Sequence, residues 1–199
     1  MCTVIGYQGN KDAKDILIQA LQRTKSRGPD DQRIESFGSC MLGFQRLAIM
    51  GLTDEGMQPF QLNQDALVCN GEIYEFRKIK NAYIKKGIQF KSDSDCEILL
   101  YMYQEYKCEM FKRLDAEFAL ILYDHESDSL IAARDPIGIR PLFYGYDSNN
   151  NIIFASEAKN LISIVKKIIP FPPGHYYKGG KFVCYRDISH VDSFKSGTL

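Results

Sequence analysis

Three hairpin signals in the C-terminal half constrain this chain most. Apolar runs at 117–124 and 129–134 flank a polar turn, and runs at 142–146 and 152–155 flank Ser148-Asn149-Asn150-Asn151. A third pair, 175–177 and 182–185, flanks Gly179-Gly180. Connections this short join antiparallel neighbours, because parallel strands need a crossover of about a dozen residues or more. Ahead of them, strand-like runs fall at 4–7, 33–36, 40–44, 46–50 and 66–69. Helical spacing occurs at Ala13, Ile16, Leu17, Ala20 and Leu21, with Asn10 or Asp12 as N-cap. That helix must stop before Arg27-Gly28-Pro29-Asp30. Two more helices are expected: one through Ile73, Phe76, Ile79 and Tyr83 ending at Gly87, the other through Ile98, Leu99, Met102 and Tyr106 behind the caps of Ser92–Asp95. A short helical piece near 109–114 completes the block. Helices segregated from antiparallel hairpins define an α+β fold rather than a doubly wound α/β one.

With 199 residues the chain reads as one domain. Its 25 basic and 25 acidic residues balance, which argues against nucleic acid or an acidic membrane surface as partner. Six cysteines without a C-x-x-C pair, and three scattered histidines, suggest neither a disulfide framework nor a metal site. No run approaches a membrane span and no signal sequence is evident, so a cytoplasmic location is expected.

The residues with chemical potential are few. Cys2, once Met1 is removed, carries a thiol and a free α-amine on one residue. An α-amine titrates near pH 8, about 7.7–8.0 in model peptides, so it can serve the thiol as general base. Asn70-Gly71 follows an apolar run and reads as the opening of a helix, where an amide and a glycine N–H can donate to one oxygen. The same dipeptide is also a common turn. Arg46, heading Leu47-Ala48-Ile49-Met50, can grip a carboxylate with two hydrogen bonds. Glu72 and Asp95 stand near helix starts, where carboxylates are favoured anyway. Together these groups suit a free amino acid with a side-chain carbonyl: carboxylate to Arg46, ammonium to Asp95 or Glu72, carbonyl oxygen to Asn70-Gly71.

These residues lie in a series of motifs spread over nearly the whole chain. In order they are Met1-Cys2, Arg27-Gly28-Pro29-Asp30, Arg46-Leu47-Ala48-Ile49, Asn70-Gly71-Glu72-Ile73-Tyr74, Ser94-Asp95-Cys96-Glu97, Arg134-Asp135-Pro136-Ile137-Gly138-Ile139-Arg140-Pro141-Leu142-Phe143-Tyr144, Ser156-Glu157-Ala158-Lys159 and Phe171-Pro172-Pro173-Gly174. The series resembles the glutaminase domain of glutamine-dependent asparagine synthetases, which are class II glutamine amidotransferases. The resemblance implies an N-terminal-nucleophile hydrolase: a four-layer α/β/β/α sandwich with two stacked antiparallel sheets. It implies that Cys2 attacks the glutamine amide and that Asn70 and Gly71 form the oxyanion hole. Arg46 and the main chain of Leu47, Ala48, Ile49 and Met50 would hold the α-carboxylate, with Glu72 and Asp95 on the α-ammonium. L-Glutamine is the implied substrate and a synthetase domain, in cis or in trans, the implied partner, with a homodimer a further possibility. No metal or cofactor is implied for residues 1–199; ATP and magnesium belong to the synthetase domain, none of which is visible in the sequence. The chain departs from the family's usual residues at Thr3, Ser26, Phe44, Gly51 and Glu75. The alternative reading is a non-catalytic descendant that binds an amino acid or a partner.

Overall fold

The computed structural model describes residues 1–9, 13–49 and 53–189, within which twelve strands and four α-helices form. One sheet holds β1 (Thr3–Gln8), β2 (Asp31–Phe37), β3 (Cys40–Arg46), β8 (Phe143–Tyr146), β9 (Ile152–Ala155) and β10 (Ile169–Pro170), in the order β10-β8-β9-β1-β3-β2. The other holds β4 (Phe60–Leu62), β5 (Asp65–Ile73), β6 (Ala116–Asp124), β7 (Ser129–Arg134), β11 (His175–Lys178) and β12 (Lys181–Cys184), in the order β12-β11-β7-β6-β5-β4. Every pairing is antiparallel.

Strand alternation explains why these runs read as continuously apolar: both faces of each sheet are covered. Val4, Leu42, Phe44, Val68, Ala119, Ile121 and Ala132 point inward and meet between the sheets in one core cluster. Their neighbours Ile5, Tyr7, Met41 and Ile153 point outward, against α1 (Lys14–Gln22) and α4 (Ala158–Leu161). On the opposite side Leu67, Cys69, Leu120 and Leu122 pack against α2 (Phe76–Lys85) and α3 (Ile98–Tyr106). The layers therefore run helix, sheet, sheet, helix, as the family resemblance implies. α2 ends as expected: Gly87, at φ +89°, donates to Ile84 O and Ile88 donates to Tyr83 O, a Schellman closure.

Four local expectations need correction. Asn70-Gly71 does not open a helix; it lies inside β5, paired with Ala119 and Phe118. β6 offers a partner to every residue from Ala66 to Ile73, and this ladder overrides the turn preference of Asn-Gly. Glu72 is consequently on a strand rather than near a helix start, and Ile73 ends that strand, with α2 beginning at Phe76. A Cβ at Gly71 would come within 2.6 Å of Glu117 O, so the close approach of β6 requires glycine there. The run 46–50 is not a strand over its described residues: β3 ends at Arg46, and Leu47 to Ile49 leave the sheet. Short β4, α4 and β10 escape the sequence reading because three, four and two residues carry no measurable periodicity. The expected caps Asn10 and Asp12, and Met50, lie outside the described residues.

Candidate active site

The alternation that builds the inner core also builds the site. Arg46 follows the inward Leu42 and Phe44, Asn70 and Glu72 follow the inward Ala66 and Val68, and Cys2 precedes the inward Val4. At one end of the sandwich the inward series thus changes from apolar to polar, and the sheets enclose a cavity of about 200 Å³ instead of a packed core. Cys2, Arg46, Leu47, Ile49, Asn70, Gly71, Glu72 and Asp95 all line it. Ala48 does not share this position: its N–H is already taken by Asp30 Oδ2 at 2.7 Å.

The Cys2 thiol is held by the main chain of Leu47, whose N–H lies 3.3 Å from Sγ and whose carbonyl lies 3.6 Å away. Burial pushes the thiol up from its ordinary value, and the Leu47 N–H partly opposes this. The terminal amine, here on Met1, is pushed down, chiefly by burial and in smaller part by Arg27 and Arg140. The thiol is therefore biased towards its neutral form. Cys69 and Cys96 line the same cavity, but both are buried, and a hydrogen bond to Cys69 together with burial drives the Cys96 thiol well upward. Of the three, only Cys2 is partly open to solvent.

On the wall of the same cavity, Asn70 is 5% exposed, and its Nδ2 is buried with no acceptor among the described residues. A buried amide donor is normally satisfied, so an orphan on a cavity wall is what a transient oxygen anion would use. Arg46 is also buried and donates through Nη1 to Thr53 O at 3.0 Å. Asp95 comes from a 3-10 turn before α3, where the Ser94 side chain accepts from Cys96 N. Its Oδ2 accepts from Ile73 N at 2.8 Å, which ties this turn to the end of β5. Glu72 stands exposed at the mouth.

Several supporting residues had no role assigned from sequence. Arg27 Nε donates to Cys2 O at 2.9 Å, and its Nη1 pairs with Glu157 at 3.0 Å. Ser156 Oγ accepts from Val4 N at 2.9 Å, and Ser156 N donates to Val4 O. Gln58 holds both main-chain groups of Cys69, at 2.6 and 3.1 Å. The motifs 27–30 and 156–159 were visible, but contacts bridging 130 residues leave no trace in local spacing.

Two stacked antiparallel sheets between helix layers, with a cysteine leading a central strand, are the architecture of the N-terminal-nucleophile class of hydrolase folds. Within that class the chain belongs to the glutamine amidotransferase domain family, whose model matches residues 1–177. It is 38% identical over 195 residues to a probable glutamine-hydrolyzing asparagine synthetase of Dictyostelium discoideum, covering 93% of this chain and 35% of that protein. It is 42% identical over 185 residues to a probable counterpart in Schizosaccharomyces pombe, covering 89% and 33%. Asparagine synthetase B of Escherichia coli is 36% identical over 182 residues, covering 88% and 32%. The chain spans about a third of the length of these relatives. Among solved structures, glutamine phosphoribosylpyrophosphate amidotransferase from B. subtilis, complexed with ADP and GMP, superposes with a TM-score of 0.77. At 20% identity over 93% of this chain and 49% of that one, it attests the fold alone. Among the described residues no helix is long and apolar enough to cross a membrane.

Proposed function

We propose that this chain hydrolyses the side-chain amide of L-glutamine to glutamate and ammonia through a thioester on Cys2. The observation carrying this is the orphaned Asn70 Nδ2 in the same cavity as the Cys2 thiol, inside a glutamine amidotransferase domain. The α-amine of a chain starting at Cys2 takes the thiol proton as Sγ attacks the amide carbon. The carbonyl oxygen becomes an anion held by Asn70 Nδ2 and the Gly71 N–H. Collapse expels ammonia, which carries that proton away, and water then cleaves the thioester to glutamate. Arg46 holds the α-carboxylate, and Glu72 and Asp95 hold the α-ammonium carried by the same carbon, at the end of the substrate away from the amide. A non-catalytic descendant would have no use for a partly open thiol and an unsatisfied donor in one cavity.

The amine assignment makes a prediction about the N-terminus. Protein whose mass shows that it starts at Cys2 is expected to turn over glutamine, whereas protein with a tag retained ahead of Met1 folds but releases no glutamate. Equal rates from the two forms would exclude the α-amine as the base.

The ammonia acceptor in this reading is aspartate, activated by ATP and magnesium on a separate synthetase domain in the cytoplasm. Incubated with glutamine, aspartate, ATP and magnesium, the 199-residue chain is expected to release glutamate but no asparagine or pyrophosphate. Asparagine made by this chain alone overturns the division of labour; absence of glutamate, with mature Cys2 confirmed by mass, overturns the glutaminase reading.

A further inference from the structure

One ion pair at the cavity edge is not used by the reaction above. Glu117 of β6 lies opposite Glu72 of β5 in register, on the same face of the sheet. Side chains in such a pair have Cβ atoms about 5 Å apart, so two carboxylates would stand together at the ammonium end. The cavity wall nevertheless carries Glu72 and Arg140, and not Glu117. Arg140 Nη2 donates to Glu117 Oε1 at 2.5 Å, with the two side chains only 16% and 17% exposed.

The backbone delivers Arg140 to this position. Its N–H donates to Asp135 Oδ2 at 3.0 Å, and its carbonyl accepts from Arg134 Nε at 2.8 Å. Asp135, 1% exposed, also accepts from the N–H groups of Ile137, Gly138 and Ile139. Arg140 Nε is itself buried with no acceptor among the described residues. A pair assembled for its own stability would satisfy that donor.

Building on the glutaminase reading, we propose that Arg140 is a positioning residue: it occupies Glu117, so that Glu72 and Asp95 alone receive the substrate ammonium. Without the guanidinium, Glu117 becomes a second anionic seat about one side-chain spacing from Glu72. Glutamine seated there keeps its affinity but brings its amide carbon to the wrong place beside Cys2 Sγ. A misplacement of about 1 Å can cost about a hundredfold in rate, so the effect falls on kcat.

The test measures kcat, KM and thermal melting for Arg140→Gln, Arg140→Lys and the double variant Arg140→Gln/Glu117→Gln. Arg140→Gln is expected to lower kcat roughly tenfold or more with KM held within about threefold. Adding Glu117→Gln removes the competing seat and restores kcat to within about threefold of wild type, and Arg140→Lys recovers most of it. An unchanged kcat in Arg140→Gln overturns the inference. So does a loss that Glu117→Gln fails to reverse in a folded double variant, the result expected of a purely structural pair. If Arg140→Gln alone does not fold, the double and lysine variants decide between the same two outcomes. Glutamate release by the wild type is read first: its absence sinks the glutaminase reading and this inference together, whereas an active wild type with insensitive variants sinks the inference alone.

Discussion

Cys2→Ala is expected to abolish glutamate release while leaving the melting transition nearly unchanged. The thiol is the only partly exposed one of the three that line the cavity, and the other two are committed to packing between β5 and the turn before α3. Neither Cys69 nor Cys96 can substitute, because both are buried and neither carries an α-amine of its own to take the thiol proton. The folding cost is small: the substitution removes two weak sulfur contacts to the Leu47 main chain, a loss of about 1 kcal/mol. Arg27 still holds the carbonyl of residue 2, and Ser156 still holds Val4. The measurement is glutamate release beside a circular-dichroism melt. A folded alanine variant that retains more than about a percent of the wild-type rate removes Cys2 from the nucleophile's role, since losing a covalent nucleophile costs orders of magnitude more than that.

The fold was legible because its strands obey one rule twice. Alternation inward and outward buries both faces, so Val4 to Tyr7 and Ala66 to Cys69 read as strands, and the hairpins at 117–134, 143–155 and 175–184 follow from their turns. The polar residues that line the cavity were legible as interruptions of those same runs. Their setting was less so. Asn70-Gly71 carries a strong turn signal, yet eight consecutive pairings with β6 keep it in a strand. That placement changes the physical account of the donor: Asn70 is aimed by the alternation of β5, not by a helix terminus. Leu47 to Ile49 read as strand because they are apolar, but the chain leaves the sheet at Arg46, and Asp30 claims the Ala48 N–H. Glu75 shows the reverse case. It precedes α2 at φ +52°, a left-handed conformation that asparagine adopts more readily than glutamate. Nothing in local sequence announces that Arg27, Ser156 and Glu157 converge on the first strand, because that convergence is a property of the sheet order β9-β1-β3.

Asn70→Ala is expected to lower kcat by about 10²–10³ with little change in KM. The reasoning is a matter of when the amide finds its partner. Nδ2 is buried and makes no hydrogen bond to any described residue, so the donor is left for an oxygen that enters the cavity. A ground-state carbonyl gains little from it, whereas the oxyanion formed on thiol attack gains the full charge-assisted bond, and only the second difference lowers the barrier. The same orphan makes a second, independent claim about stability. An unsatisfied buried donor costs about 1–3 kcal/mol, so its removal offsets the packing lost on truncation to alanine. Asn70→Ala should therefore melt at or near the wild-type temperature, without the several-degree loss that truncation of a satisfied core residue brings. Kinetics and melting together decide the matter. A variant with kcat intact and KM raised would mean that Asn70 binds the ground state. A variant that is inactive only because it is unfolded would mean that the amide holds β5 together rather than waiting for the anion.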